Sequence, residues 1–336
     1  MFPEFYSLGV STGINFCINI LIPSLFPFMF LSCFIVNSGI SEEFGKLISF
    51  LSKFLFYLPS CTGSSIILSL LGGYPVGAKL VSSLYKRKLI SQEQANRMLC
   101  FVINSGPAFA ITTLGLKLLS NKTFGLIIYL SQIISSLLIA TILGIFARIK
   151  NKNLKIQNTY SIKKPEIFSA FINSSIETID SIVNMCAFII IFSCIIFIIN
   201  KLICHNLFLI SILEITSGCV ELAREKIPIY LISFFVAWSG ICIHFQIFSI
   251  MNIKKFNFKR LKFILFRFIH GVLSGITTYI LLIIFKIDIQ VFSNGISFKS
   301  NFISNSTSIY GSIFLLLTSV FFIISSFESE IFNLTR

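Results

Sequence analysis

Charge is scarce in this chain of 336 residues: only 12% are Asp, Glu, Lys or Arg, about half the share of a soluble domain. None of these four occurs in 5–41, 54–78, 98–116, 123–147, 181–200, 227–253, 268–285 or 300–327. A spanning helix needs about 20 apolar residues, so six or seven of these stretches cross a bilayer, and a soluble globular domain is excluded. Acid is the rarer sign, with 13 Asp and Glu against 27 Lys and Arg. No paired carboxylates and no Ser–His–Asp set fall at one depth, so no enzyme is expected. The histidines His205, His244 and His270 have no metal spacing. The nine cysteines include no Cys-x-x-Cys pair and lie mostly in apolar segments, where free Cys behaves as a small hydrophobe. Neither a disulfide framework nor a zinc site is implied. The N-terminal Met1-Phe2-Pro3-Glu4 lacks the basic flank of a cleavable signal, and the first spanning segment is expected to direct insertion.

The cations cluster. One group is Lys86, Arg87 and Lys88; a second is Arg148, Lys150, Lys152, Lys155, Lys163 and Lys164. A third is Lys254, Lys255, Lys259, Arg260, Lys262 and Arg267. Short basic loops stay in the cytoplasm, so the net charge of +14 reports topology and implies no nucleic-acid partner. Placing all three groups inside orients the chain. Helix 20–40 comes down from outside to Glu42, Glu43 and Lys46. A hairpin over about 62–86 enters and leaves from the cytoplasm. An interrupted helix over about 91–116 then crosses outward, and 123–147 returns. Ser91 with Gln94 forms a capping box at the start of the interrupted helix.

The second half reads in the opposite sense. Residues 165–180 form an interfacial amphipathic helix, 181–203 crosses outward, and a hairpin over about 205–226 opens from outside. Interrupted helix 227–252 and helix 263–285 follow. The polar loop 288–307 leads to a last helix at 308–327. The expected fold class is therefore an all-α polytopic membrane protein with two inverted repeats, each with a re-entrant hairpin and an interrupted transmembrane helix. The repeats span 1–147 and 165–287, joined by a basic cytoplasmic linker at 148–164 and followed by 288–336. The strings Phe101-Val102-Ile103-Asn104-Ser105-Gly106 and Phe235-Val236-Ala237-Trp238-Ser239-Gly240 occupy matching places in the two halves. Ser32-Cys33 and Ser193-Cys194 also match.

Paired breaks at corresponding places in two halves point to a transporter's binding site. A break frees backbone N–H and C=O groups, which hydrocarbon cannot satisfy. In the first half, Gly72-Gly73-Tyr74-Pro75-Val76-Gly77-Ala78-Lys79 breaks the hairpin. A new helix beginning there offers unpaired N–H groups to an anion, with Lys79 one turn in; the bland alternative is a lysine snorkelling to the interface. The string lacks the closing Gly-Lys-Ser/Thr of a phosphate loop, so neither ATP-driven transport nor any cofactor is implied. Pro107 removes a donor and leaves the carbonyl of Ile103 unpaired, with Asn104 and Ser105 at the same level. In the second half, Glu214 sits at the hairpin turn beside Thr216 and Ser217. A carboxylate at membrane depth marks a solute or proton path, unless it reaches the outer interface. Ser239 and Gly240 mark the second break, where small-residue packing is the competing explanation. Pro23 and Pro27 kink the first long helix.

The string from Leu70 to Lys79, followed by Asn104-Ser105-Gly106-Pro107, resembles the YlbJ-type sporulation integral membrane proteins of endospore-forming bacteria. These belong to the wider nucleoside-recognition, or Gate, domain group, whose relatives include concentrative nucleoside transporters and the iron transporter FeoB. The resemblance covers about residues 10–285. It implies a multi-pass protein of the mother-cell-derived membrane around the forespore, of a family implicated in moving dipicolinic acid. By analogy with the nucleoside carriers, the site would comprise Gly73, Tyr74 and Pro75; Asn104 and Ser105; Glu214, Thr216 and Ser217; and Ser239, with Lys79 added from its place after the first break. The expected function is carriage of a small planar anion, dipicolinate if the resemblance holds, with Tyr74 or Trp238 stacking on the ring. A coupling ion, H+ or Na+, is left open. Glu214 fits an anion poorly, which favours a nucleoside or nucleobase carrier as an alternative. A non-transporting scaffold for spore envelope assembly is the third reading.

Overall fold

The computed structural model describes residues 2–40, 50–150, 166–202, 206–253 and 256–286. The expectations for Glu42, Glu43, Lys46, residues 151–164, Cys204, His205, Lys254, Lys255, the 288–307 loop and helix 308–327 lie outside the described residues. The chain divides into Met1–Phe292 and Ser293–Arg336, and all the described residues belong to the first unit.

Among the described residues all regular structure is helical. Helix α1 (Phe2–Phe16) continues through a π-helical turn, Cys17–Leu21, into α2 (Ile22–Asn37). The backbone N–H of Ile22 reaches Cys17 O, five residues back. The wide turn falls just before Pro23, which has no N–H to give to the preceding turn. A helix pair follows, α3 (Thr62–Gly72) and α4 (Tyr74–Lys86). Next come α5 (Gln92–Leu99) and, beyond an irregular stretch, the π-helical segment Ala108–Leu118. Helix α6 (Lys122–Lys150) and helix α7 (Ile167–Leu202) are long and unbroken. A second, shorter helix pair is α8 (Leu207–Leu213) and α9 (Ile215–Arg224). The described chain closes with α10 (Ile229–Trp238), α11 (Gly240–Ile250) and α12 (Arg260–Ile284).

Two sequence expectations change. The interfacial helix at 165–180 is no separate element: α7 runs through it as one helix of 36 residues, about 54 Å at 1.5 Å per residue. No Gly or Pro stands between 167 and 202 to end it. Its length is accommodated by α1 and α2, which pack along it; Phe30 meets Phe171 edge-on at 5.2 Å. The second change is Arg267, grouped above with a cytoplasmic loop. It lies two turns into α12 and is 0% exposed.

Among the described residues, four helical stretches are long and apolar enough to cross a membrane: Lys122–Lys150, Ile167–Lys201, Ile229–Ile250 and Arg260–Ile284. Their outward faces are apolar. Leu126, Leu130, Ile134, Leu138 and Ile142 recur every fourth residue of α6, and all are exposed. Helix α12 exposes Leu265, Phe268, Val272, Ile276 and Ile283. Continuous apolar stripes of this length do not face water in soluble monomers. The inward faces are polar instead: Ser131, Gln132, Ser135 and Ser136 on α6, and Arg267, His270, Ser274 and Thr278 on α12, are all buried. This is the distribution of a multi-pass membrane protein, in which polar side chains join helices across the interior.

The described parts of the basic groups gather at one end. The backbone N–H of Lys259 donates to Asn96 Oδ1 at 3.0 Å, and that of Asn257 to Gln92 Oε1 at 3.3 Å. Arg97 donates to the carbonyl of Tyr57, whose ring lies 5.7 Å under the Arg148 guanidinium. At the opposite end, Tyr230 of α10 meets Tyr279 of α12 at 5.8 Å. The path from α5 to Leu118 therefore leaves the basic end, whereas the path from α10 to α11 approaches it.

Candidate binding site

The first helix pair turns at Gly73, with φ of 87° and ψ of −175°. That left-handed backbone favours glycine. Pro75 follows in the first turn of α4, where a missing N–H costs nothing, and no side chain caps this helix end. The turn sits on the first break, backbone against backbone. A Cβ added at Gly73 would lie 3.2 Å from Gly106 N, and one at Gly106 would lie 3.2 Å from Leu71 O.

The second helix pair repeats the arrangement at its own break. Helix α10 ends at Trp238, and Ser239 and Gly240 take φ of 75° and 71° before α11 begins. A Cβ at Gly240 would lie 3.0 Å from Ile215 N and 3.2 Å from Leu213 O. Here the turn residue is Glu214, 1% exposed. Its Oε1 accepts from Thr216 N at 2.8 Å and its Oε2 from Ser217 N at 2.7 Å. A carboxylate in this position satisfies two orphan donors and opposes the positive end of α9. Glu214 is therefore buried within the protein, and both its oxygens already accept hydrogen bonds. The two turns differ in this respect: one is capped by its own side chain, and the other is not.

The polarity released at the breaks is taken up by the protein itself. The Ile103 carbonyl, expected to be orphaned by Pro107, accepts from Arg267 Nη1. The Phe101 carbonyl accepts from Ser136 Oγ at 2.6 Å and from Asn104 Nδ2 at 3.0 Å. Ser105 N donates to Gln132 Oε1 at 3.1 Å, and Gln132 Nε2 donates to Ser105 Oγ at 2.8 Å. In the second break, Arg267 Nη2 donates to the Ala237 carbonyl, and to Ser239 Oγ at 2.6 Å. Tyr74 Oη donates to Val236 O at 2.7 Å, and His270 Nε2 lies 3.1 Å from Gln132 O. Tyr74, Ser105 and Ser239 thus converge with Gln132 and Arg267 in one buried polar core that joins both breaks.

Two cavities flank this core. The smaller, about 40 Å³, is walled by Gly73, Tyr74, Pro75, Gly106, Ile215 and Thr216, along with apolar side chains of α7 and α11. It lies where the two helix-pair turns meet. The larger, about 480 Å³, lies between α4, α7 and α11 and includes Pro75, Lys79, Arg87, Glu177, Asp180 and Gln246. Its mouth carries the exposed Lys86 and Arg87, and Pro75 lines both cavities. Lys79 Nζ donates to the backbone carbonyl of Glu177. The larger cavity falls within the roughly 300–1,000 Å³ range of small-molecule sites, and the smaller falls far below it.

The structure thus divides the residues named from the sequence. Gly73, Tyr74, Pro75 and Thr216 wall the smaller cavity, and Lys79 is in the larger. Asn104, Ser105 and Ser239 are buried and bonded within the protein. Glu214 and Ser217 form the α9 cap. Trp238 packs against His244 with the rings tilted at 45° and their centres 4.6 Å apart, and it lines neither cavity. Sequence reasoning missed Gln132, Ser136, Arg267 and His270. Gln132 carries the one amide side chain of a charge-free run, and Arg267 recurs with Phe263, His270 and Ser274 on one helical face. Those were the available signals.

Compared with known proteins, the chain is 22% identical over 149 residues to the sporulation integral membrane protein YlbJ of Bacillus subtilis (strain 168). The matched stretch is 44% of this chain and 36% of that relative, so the chain spans little over a third of the relative's length. No family model matches the chain, and no solved structure matches it. With its apolar helices, the chain is a membrane protein distantly homologous to a sporulation integral membrane protein.

Proposed function

We propose that this protein is a secondary-type carrier built from two inverted repeats of the Gate kind, and that it moves a small planar anion. Dipicolinate is the leading cargo, carried during endospore formation in the membrane around the forespore. The observation that carries this reading is the repeated seating of a helix-pair turn on the glycine of an interrupted helix, Gly73 on Gly106 and Glu214 beside Gly240. The two interrupted helices run in opposite directions, and the two turns share one small cavity. In this reading both helix pairs are re-entrant, the basic end is cytoplasmic, and the larger cavity is the vestibule through which cargo reaches Pro75. Lys79, Lys86 and Arg87 outnumber Glu177 and Asp180 in the lining of that vestibule, and this balance favours an anion.

A nucleoside cargo relied on Glu214 as an acceptor for hydroxyls. Both its oxygens are held by α9, so the anion is preferred. The deciding experiment is flux into proteoliposomes holding the purified protein, with labelled dipicolinate and labelled uridine in parallel and an imposed H+ or Na+ gradient. Saturable dipicolinate uptake is expected. Uridine uptake alone would replace the cargo, and no uptake of either would leave the scaffold reading.

A further inference from the structure

The core of this protein holds a cation with no carboxylate. Arg267 is 0% exposed, and its bonded partners are the carbonyls of Ile103 and Ala237 and the hydroxyl of Ser239. Its Nε, also buried, has no partner. Among the described acids only Glu214 is buried, and its oxygens face the α9 N–H groups. Glu177 and Asp180 are exposed at the larger cavity. A charge removed from water is costly unless an opposite charge meets it, and carbonyl dipoles compensate only in part. The unmet half of this pair has the chemistry of an anion.

The position of Tyr74 gives the route. Its ring walls the smaller cavity, while its Oη holds the Val236 carbonyl, one residue from the Ala237 carbonyl that Arg267 holds. The phenol therefore reaches from that cavity to the same backbone turn that the guanidinium holds. We infer that Arg267 is the counter-charge for the transported carboxylate and that it doubles as a pin between the two repeats. The planar fork of a guanidinium matches a carboxylate in two parallel hydrogen bonds. An anion that passes Tyr74 and takes this fork draws it off Ile103 and Ala237 together. One binding event then releases both breaks. This inference rests on the carrier reading and assigns that site its charge and its trigger.

The chain's single tryptophan, Trp238, adjoins Ala237 and reports the release. The test titrates the full-length protein with dipicolinate and with pyridine-2,6-dicarboxamide, which has the same shape without the charge. Tryptophan emission is followed, and flux of dipicolinate is measured alongside. Wild type is expected to respond to the acid and not to the diamide. Arg267→Lys keeps the charge and loses the fork, so its half-saturation should rise at least about tenfold. Arg267→Gln, where it elutes as a single folded species, should lose both response and flux. An equal response to the diamide overturns the inference, as does an unchanged half-saturation in Arg267→Lys. If wild type carries dipicolinate and folded Arg267→Gln carries it equally well, the inference fails while the carrier reading stands. If wild type carries no anion, the anion-carrier reading fails first and the inference with it. Should Arg267→Gln not fold, the Lys variant and the acid–diamide comparison decide the matter.

Discussion

Single side chains at the breaks explain how a membrane interior tolerates interrupted helices. Gln132 satisfies both polar groups of Ser105, and in hydrocarbon neither has water as a substitute. Replacing it with leucine leaves those groups bare, and Gln132→Leu should cost about 1–3 kcal/mol, read as a lowered unfolding midpoint in detergent. Removing the Ser105 hydroxyl in the same background should recover part of that loss. Glu214 is a different case, because its two bonds cap a helix. Glu214→Gln keeps one acceptor and should cost about 1 kcal/mol, the usual size of a cap effect, with dipicolinate uptake largely preserved. Uptake that collapsed while stability held would move Glu214 from scaffold to cargo site. Close approach sets a third test. A Cβ at Gly77 would lie 2.2 Å from Val102 O, so Gly77→Ala should push α4 off the first break and destabilise by about 1–3 kcal/mol, in the range of other overpacking substitutions. Thermal unfolding of the purified variant measures it.

Helix boundaries were largely legible, because local chemistry sets them. Helix pairs occupy Thr62–Lys86, where a hairpin over about 62–86 is expected, and Leu207–Arg224, where one over about 205–226 is expected. Ser91 and Gln94 make the reciprocal bonds of the expected capping box at 3.2 and 2.8 Å. Proline, glycine and a capping serine act within one turn, so one sequence suffices to see them. The orphaned Ile103 carbonyl was legible for the same reason. Its rescuer was not: Arg267 is 164 positions away, and a charge seven residues from a helix start reads equally well as loop or core. The unbroken α7 was missed because Glu177 and Asp180 resemble the polar face of a surface helix. They instead line the mouth of the larger cavity. That difference has an accessible consequence. In a background without the nine native cysteines, Ser82→Cys, in the vestibule wall, should react with an impermeant thiol reagent added at the basic end. Thr216→Cys, at the far turn, should stay protected until dipicolinate is present. Equal reactivity at both positions would contradict a closed partition. Lys79→Ala, which removes a vestibule cation, should reduce uptake several-fold at low anion concentration and little at saturation.

At the scale of the whole molecule, wide and narrow spaces lie in series. About 480 Å³ is open beside the basic end, and about 40 Å³ remains where the two turns meet. The narrow space admits a water molecule and nothing the size of an aromatic dicarboxylate. In the carrier reading proposed above, passage requires the turns to separate on each cycle, a collective movement on the microsecond-to-second scale. A carrier of this kind does not conduct as a channel does. Planar-bilayer recordings should show no unitary currents, and exchange of labelled for unlabelled anion should outpace net movement, as it does when one loaded carrier shuttles between two faces.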